Sequence, residues 1–234
     1  MRADEKYIYK TYLMKNPAQI NIDGNLSDWG ELKVNVQSLD NGCVRAGNEI
    51  FQRPSSSSDL SANFRCFADL DNFYVAVVVK DDKLVFGRHK FGAAHLDDSV
   101  EVYFCGNPAF RKSTEYDSND AEIRFSKNKK EKTYLEGMGL FHGVLFMYPG
   151  LWESLGIEAA IKETPEGYAA ELKVPRYVFV PFPLEKGSRI GFNVMVNDDD
   201  TGKRDNKISW TEDFYDESWK TTRYFGILLI EEVR

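Results

Sequence analysis

Histidine and cysteine are scarce in this chain, three of each among 234 residues. Cys43, Cys66 and Cys105 are too few and too scattered for a disulfide framework or a paired-cysteine metal site; Cys66 and Cys105 sit in strand-like runs and read as small buried hydrophobes. Nothing in the spacing of His89, His95 and His142 gathers them into a metal triad. No apolar run approaches the roughly 20 residues that cross a bilayer, and the opening Met1-Arg-Ala-Asp-Glu-Lys6 lacks the apolar centre of a secretion signal. Positive charge is also in deficit. The formal net charge is −7, and Lys127-Asn-Lys-Lys-Glu-Lys132 is the basic cluster, so nothing recommends a nucleic-acid partner. That cluster lies between two strand-like segments and reads as a solvated hairpin turn. Walker, Rossmann, GxSxG and HExxH patterns are all missing, as is sustained helical periodicity.

What the sequence does have is alternation. Apolar residues make up 42% of the chain, enough for a substantial core, and they recur with period two in segments separated by turn residues. Phe73-Tyr-Val-Ala-Val-Val-Val79, Asp97-Asp-Ser-Val-Glu-Val-Tyr-Phe104, Ala121-Glu-Ile-Arg-Phe125, Gly167-Tyr-Ala-Ala-Glu-Leu-Lys-Val-Pro175 and Gly187-Ser-Arg-Ile-Gly-Phe-Asn-Val-Met-Val196 are the clearest. Tyr224-Phe-Gly-Ile-Leu-Leu-Ile230 is apolar throughout and reads as a strand covered on both faces. The fold expected is all-β with little helix: an antiparallel β-sandwich of jelly-roll type, as one domain over residues 18–234 after a lead-in over residues 1–17. Core faces should hold Val100, Val102, Phe104, Ile123, Phe125, Phe192, Val194 and Leu228. Ile20–Gly24 reads as a short strand closed by an Asp-Gly turn, with Trp29 plugging a core edge. Residues 36–60 read as a long loop, and residues 140–162 as further strand pieces around Tyr148-Pro-Gly150 and Trp152.

If the core face is fixed, the other face follows. Glu101 stands opposite Val100 and Val102, and Glu122 and Arg124 opposite Ile123, so one sheet would carry all three on its outer side. They form either a solvated salt-bridge face or a compact set of donors and acceptors, in which the planar guanidinium pairs with a carboxylate or a hydroxyl cluster. The run Asn197-Asp-Asp-Asp200 is either a plain acidic loop or a supplier of oxygen ligands to Ca²⁺, together with Asp81; the metal set is then Asp81, Asp198, Asp199 and Asp200.

Several of these stretches, taken in order, resemble a known family. Ile22-Asp-Gly24 with Trp29, Phe73-Tyr-Val with Asp81, Asp98-Ser-Val-Glu-Val-Tyr-Phe104, Asp120-Ala-Glu-Ile-Arg124, Gly167-Tyr-Ala-Ala-Glu171, Ile190-Gly-Phe-Asn-Val-Met-Val-Asn-Asp198, Ser209-Trp210, and Ser218-Trp219 with Phe225-Gly226 are similar to the xylanase-associated family 9 carbohydrate-binding modules, over residues 18–231. The resemblance implies a non-catalytic β-sandwich that holds a sugar of an oligo- or polysaccharide, with structural Ca²⁺ in some members. It also implies an extracytoplasmic location, with the signal absent from this chain, and a monomer as the working expectation. In the family two Trp rings clamp the sugar. Trp219 matches one, while His95 stands at the other, so the clamp looks broken or replaced by an imidazole. Glu101 and Arg124 match the polar contacts directly; Glu122 and Asp216 stand where the family has Gln and Asn, and an ionised carboxylate cannot donate. The ligand set is therefore Trp219, Arg124, Glu101, Glu122, Asp216 and His95. Three alternatives accompany it: a glycosidase using Glu101 and Glu122, a haem-binding sandwich using His95 and Met195, and a structural or protein-binding module.

Overall fold

The computed structural model describes residues 6–107, 115–141, 144–145, 150–180 and 182–234. His142 and the break at Tyr148-Pro149 lie outside these.

The alternating segments are strands. In chain order they are β1 (Ile8–Met14), β2 (Gln37–Ser38), β3 (Asn41–Gly42), β4 (Arg45–Ala46), β5 (Glu49–Ile50), β6 (Leu60–Asp69), β7 (Asn72–Asp81) and β8 (Ser99–Cys105). There follow β9 (Asp120–Lys127), β10 (Thr133–Phe141), β11 (Val144–Leu145), β12 (Glu158–Thr164), β13 (Gly167–Pro175), β14 (Arg189–Asp198), β15 (Asn206–Ser209) and β16 (Gly226–Val233). The helix expectation also holds: α1 (Leu151–Ser154) is a single turn. It contains Trp152, where strand had been expected.

One hydrogen-bonded path runs β11-β10-β9-β8-β14-β16-β1-β6-β7-β13-β12, with β15 on β14. The path curls over, so that β8–β10, β14 and β16 face β6, β7 and β13 across a common core. Near its ends the Ile161 N–H of β12 donates to Thr133 Oγ1 of β10 at 2.9 Å. All eight expected core residues, Val100, Val102, Phe104, Ile123, Phe125, Phe192, Val194 and Leu228, are fully buried in that core with Phe64, Phe73, Val75, Val77, Tyr168 and Leu172. Period-two alternation forces this, because shifting any strand by one residue would turn its apolar set outward. As its continuous apolar run suggests, successive residues Ile227 and Leu228 of β16 are both buried, so the first part of the strand is covered on both faces, and it is paired on both edges, with β14 and β1.

Three expectations need correction. The lead-in is not separate from the sheet: β1 pairs in parallel with β16 and with β6, bridging the two layers, so the architecture is not purely antiparallel. Its pattern is legible afterwards, since Tyr9 and Leu13 reach the main core and Tyr12 packs with Phe67 on the other face. Ile20–Gly24 is not a strand. Instead, residues 18–34 lie over the outer face of β6, β7 and β13, where Trp29, Phe67 and Tyr74 form a second apolar layer. Glu171 ties that layer down, accepting from Trp29 Nε1 (2.8 Å), Gly24 N (2.6 Å) and Asp23 N (3.1 Å). Residues 36–60 hold four short strands, of which β4 and β5 make a hairpin of their own.

Candidate functional site

The outer face of β8, β9 and β10 carries a row of charges set by register. Glu101 is paired with Arg124, and Arg124 with Glu136. Because strand partners point to the same side, all three side chains project away from the core. Next to Glu136, Gly137 sits at φ 139°, and a Cβ there would lie 2.0 Å from the Glu122 carbonyl oxygen, so glycine is required for β10 to approach β9. Beyond β8, the face is completed by Lys207 of β15, Arg204 of the preceding turn and Asp216 of the loop between β15 and β16. Asp216 has φ 51°, a left-handed conformation that Asp tolerates better than most residues.

These side chains form a continuous chain of alternating sign. Glu136 Oε1 accepts from Arg124 Nη1 (2.8 Å), and Arg124 Nε donates to Glu101 Oε1 (3.0 Å). Lys207 Nζ then bridges Glu101 Oε2 and Asp216 Oδ1, 2.5 Å from each. Arg204 links Asp216 Oδ2 (2.8 Å) to Glu49 Oε2 (3.0 Å) on the β4–β5 hairpin. Glu122 branches off through Arg124 Nη2. Burial pushes the Glu101 carboxyl up, but Lys207 and Arg124 outweigh it and hold it well below the usual range. Burial likewise opposes the charges of Arg124 and Lys207, and the surrounding carboxylates override it in both.

Six residues were expected at this site, and five line one cavity of about 550 Å³: Trp219, Arg124, Glu101, Asp216 and His95. Glu122 does not line it. It is fully buried behind the guanidinium, and its carboxyl is raised to about 7, by burial first and by Glu101 second, against the pull of Arg124. His95 does not stand as a free stacking ring. Its Nδ1 lies 3.0 Å from Arg124 Nη1 and must accept, which places the ring proton on Nε2; burial, then Arg124, depress its pKa to about 3. Glu101 is an organiser, since Oε1 also accepts from Asn197 Nδ2 (2.8 Å) and Oε2 from the Tyr103 hydroxyl (2.5 Å), so all four of its lone-pair positions are used. Spare capacity lies elsewhere. Among the described residues each Asp216 oxygen and Glu136 Oε2 takes one bond, and Lys207 keeps one N–H. Lys207, Arg204, Glu136, Phe91 and Tyr215 line the cavity and were not foreseen.

Trp219 is 40% exposed, whereas Trp29, Trp152 and Trp210 are buried; its ring is not a core plug. Met195 is buried in a separate cluster with Tyr103 and Phe225 and does not line the cavity with His95, so no His/Met axial pair is formed. Glu101 and Glu122 share one arginine, with Glu101 ionised and saturated, which does not suit an acid and nucleophile flanking a glycosidic bond.

At one end of the fold a second set of carboxylates converges. Oxygens of Asp81, Asp98 and Asp198 lie within 4.8 Å of one another, as do those of Asp59, Asp198 and Asp200, and of Asp81, Asp82 and Asp200. Asp81 Oδ2, Asp198 Oδ1 and Asp200 Oδ1 are buried without a hydrogen-bond partner. Burial first, then neighbouring carboxylates, raise Asp81 to about 6, Asp98 to about 9 and Asp198 to about 8. A buried, unpaired, oxygen-only set fits a hard cation such as Ca²⁺. Of the four acids expected, Asp81, Asp198 and Asp200 belong to these overlapping groups, each pair of them sharing one. Asp199 does not join them: its neighbours are Arg88, 3.2 Å away, and the His89–Asp97 pair, because successive residues of an extended chain point to opposite sides.

The chain is similar to known proteins over most of its length. A structure of a family 9 carbohydrate-binding module from Caldicellulosiruptor kristjanssonii in complex with cellotriose matches with a TM-score of 0.68 at 19% identity, covering 95% of this chain and 94% of that one. A putative carbohydrate-binding protein from Bacteroides uniformis matches with a TM-score of 0.60 at 13% identity, over 96% and 99%. At these identities the likeness shows the β-sandwich fold. Among curated relatives, the exoglucanase XynX of Acetivibrio thermocellus is 31% identical over 134 residues, which is 57% of this chain and 10% of that protein. Endo-1,4-beta-xylanase A of Thermotoga neapolitana is 27% identical over 209 residues, or 88% and 16%. The chain thus spans between a tenth and a sixth of the length of these relatives. Residues 43–233 match the family model described as carbohydrate family 9 binding domain-like, a family of binding modules and not of catalytic domains, and the chain belongs to that family.

Proposed function

We propose that this chain binds a neutral sugar ring of an oligo- or polysaccharide, without catalysis, in the cavity beside Trp219. The observation that carries this reading is an exposed indole at the edge of a polar floor whose charges neutralise one another. A pyranose presents apolar C–H faces and a belt of hydroxyls, so it needs an aromatic surface and fixed donors and acceptors. Trp219 offers the surface. Asp216, Glu136 Oε2, Lys207 and the His95 Nε2–H offer unused hydrogen-bonding capacity, while Arg124 and Glu101 hold these groups in place. An ionic ligand would find each floor charge already paired, which favours a neutral one.

For the acidic cluster we propose Ca²⁺, held by Asp81, Asp98, Asp198 and Asp200. The ion would neutralise buried carboxylates and so stabilise the loops between strand ends. Its ligands lie on the β7 and β14 ends and just ahead of β8, the strand that carries Glu101. An extracytoplasmic location is proposed from the xylanase relatives; among the described residues no helix is long and apolar enough to cross a membrane.

Calorimetric titration with glucose, cellotriose and xylo-oligosaccharides tests the binding. Trp219→Ala should weaken binding by about 2 kcal/mol, roughly thirtyfold, with the melting temperature unchanged, since the ring is not in the core. A wild-type protein that binds none of these, or a Trp219→Ala variant that binds as wild type does, overturns the reading.

A further inference from the structure

We propose that the glycan taken here carries a uronic acid unit next to the neutral ring on the floor, and that Arg45, at the rim of the cavity, pairs with its carboxylate; this rests on the sugar-binding reading above. Five cations line the cavity: Arg45, Arg124, Arg204, Lys207 and Lys220. Four of them are matched within the protein. Arg124 has Glu101 and Glu136, Lys207 has Glu101 and Asp216, Arg204 has Asp216 and Glu49, and Lys220 has Glu217 at 3.0 Å. Arg45 makes no ion pair among the described residues, in a chain whose net charge is −7 and where carboxylates are plentiful. Nor is a cavity acid left over for it, since Glu101, Glu136, Asp216 and Glu217 are each engaged by another cation.

The position of Arg45 is fixed by the elements that build the floor. It lies on β4, where it is paired with Ile50 of β5. The β4–β5 hairpin is tied down at its base by Cys43 N to the Lys207 carbonyl (2.9 Å), Val44 N to the Phe214 carbonyl (2.8 Å) and Gln52 N to the Asp205 carbonyl (3.0 Å). Arg204 fastens it again, 3.0 Å from Glu49 and with its guanidinium 4.6 Å from the centre of the Phe51 ring. Arg45 is exposed, so its charge is open to a ligand that extends out of the cavity. A guanidinium is a planar fork that meets a carboxylate with two parallel N–H donors, which no neutral hydroxyl matches. On the floor itself an acid would face Glu101, Glu136 and Asp216, whose cations are already spent; it is therefore turned to the rim while the neutral ring stays below. Glycans that contain glucuronic or galacturonic acid units have this chemistry. Because the pair is open to solvent, it should contribute about three- to fivefold in affinity and weaken in salt.

The test titrates a glucuronic-acid-branched xylotriose and an oligogalacturonate, each beside its carboxyl-reduced neutral counterpart, into wild type, Arg45→Gln and Arg45→Lys, with melting temperatures recorded for each. In wild type at about 20 mM NaCl at least one acid should bind roughly three- to fivefold more tightly than its neutral counterpart, and the ratio should fall toward one at about 0.5 M. Arg45→Gln should bring the ratio to one, and Arg45→Lys, which keeps the charge without the fork, should retain part of it. If the neutral sugars bind but neither acid is preferred, or the preference survives Arg45→Gln or high salt unchanged, the acidic ligand is refuted and the sugar site stands. If wild type binds no member of either pair, both readings fall.

Discussion

Lys207 has no solvent to fall back on. Its ammonium is 2% exposed and lies 2.5 Å from both Glu101 and Asp216, joining the two halves of the ion-pair chain. Lys207→Met keeps most of the volume and removes the charge. Breaking a buried pair from one side typically costs about 3–5 kcal/mol. Here each abandoned carboxylate retains one cation, Arg124 for Glu101 and Arg204 for Asp216, which argues for the lower end, about 3 kcal/mol. For a chain of this size that corresponds to a fall in melting temperature of roughly 6–12 °C. The pH dependence carries the sharper information. In the wild type Glu101 is held well below its unfolded pKa, so it contributes stability above that pKa and loses it as pH falls. The variant has less of this to lose. Its deficit should be full above about pH 5 and shrink only as pH falls below the unfolded glutamate value of about 4.3 toward the depressed folded one. Circular dichroism melts across that range, repeated for Asp216→Asn and the double variant, measure it; the two changes share a contact and should cost less together than their sum. A variant that melts within a degree of wild type near pH 7 would show that the bridge is not a stabilising one.

The physics that made part of this molecule legible also explains what was not. Alternation states which side of a sheet a residue occupies, and it was enough for the core and for placing Glu101 and Arg124 together on the outer face. Alternation does not state depth. Glu122 shares that face yet is sealed behind a guanidinium, and Glu171, on the outer side of β13, is covered by residues 18–34, which no local pattern announces. Lys207 was invisible because a lysine in a short polar strand reads as solvated, and its partner Glu101 is 106 positions away. Glu136 was missed because Gly137 and Gly139 interrupt the periodicity of β10, although its register partner Arg124 had been singled out. The acids around Asp198 were visible as a run. Only the meeting of the β7 and β14 ends with the residue just ahead of β8 shows that Asp98 joins the group, and that Asp199 belongs to the opposite side.

Glu171→Ala should destabilise the fold by about 2–4 kcal/mol, because it strips acceptors from the Trp29 indole and two backbone N–H groups at once; a denaturant melt indistinguishable from wild type would refute that role. The acidic cluster gives a prediction whose sign depends on the ion. Asp81, Asp98 and Asp198 have folded-state pKa values raised to about 6, 9 and 8, above those of an unfolded aspartate. Such groups are compatible with folding while protonated and oppose it once ionised, so their stability is present below about pH 4 and lost as pH rises through 6 to 9. Protein treated with a chelator should therefore melt lower at pH 8 than at pH 5. Adding Ca²⁺ at about a hundred times its Kd should return about 2.7 kcal/mol, or roughly 5–11 °C. The gain should be greatest at pH 8, where the ligands are most fully deprotonated, and small at pH 5, where protons compete with the ion. Asp198→Asn should abolish the Ca²⁺ response, and it should raise the melting temperature of the chelated protein at pH 8 by removing one of the repelling charges. A chelated protein whose stability climbs from pH 5 to pH 8, or a melting temperature at pH 8 that responds neither to chelator nor to Ca²⁺, is incompatible with a cation held by these carboxylates.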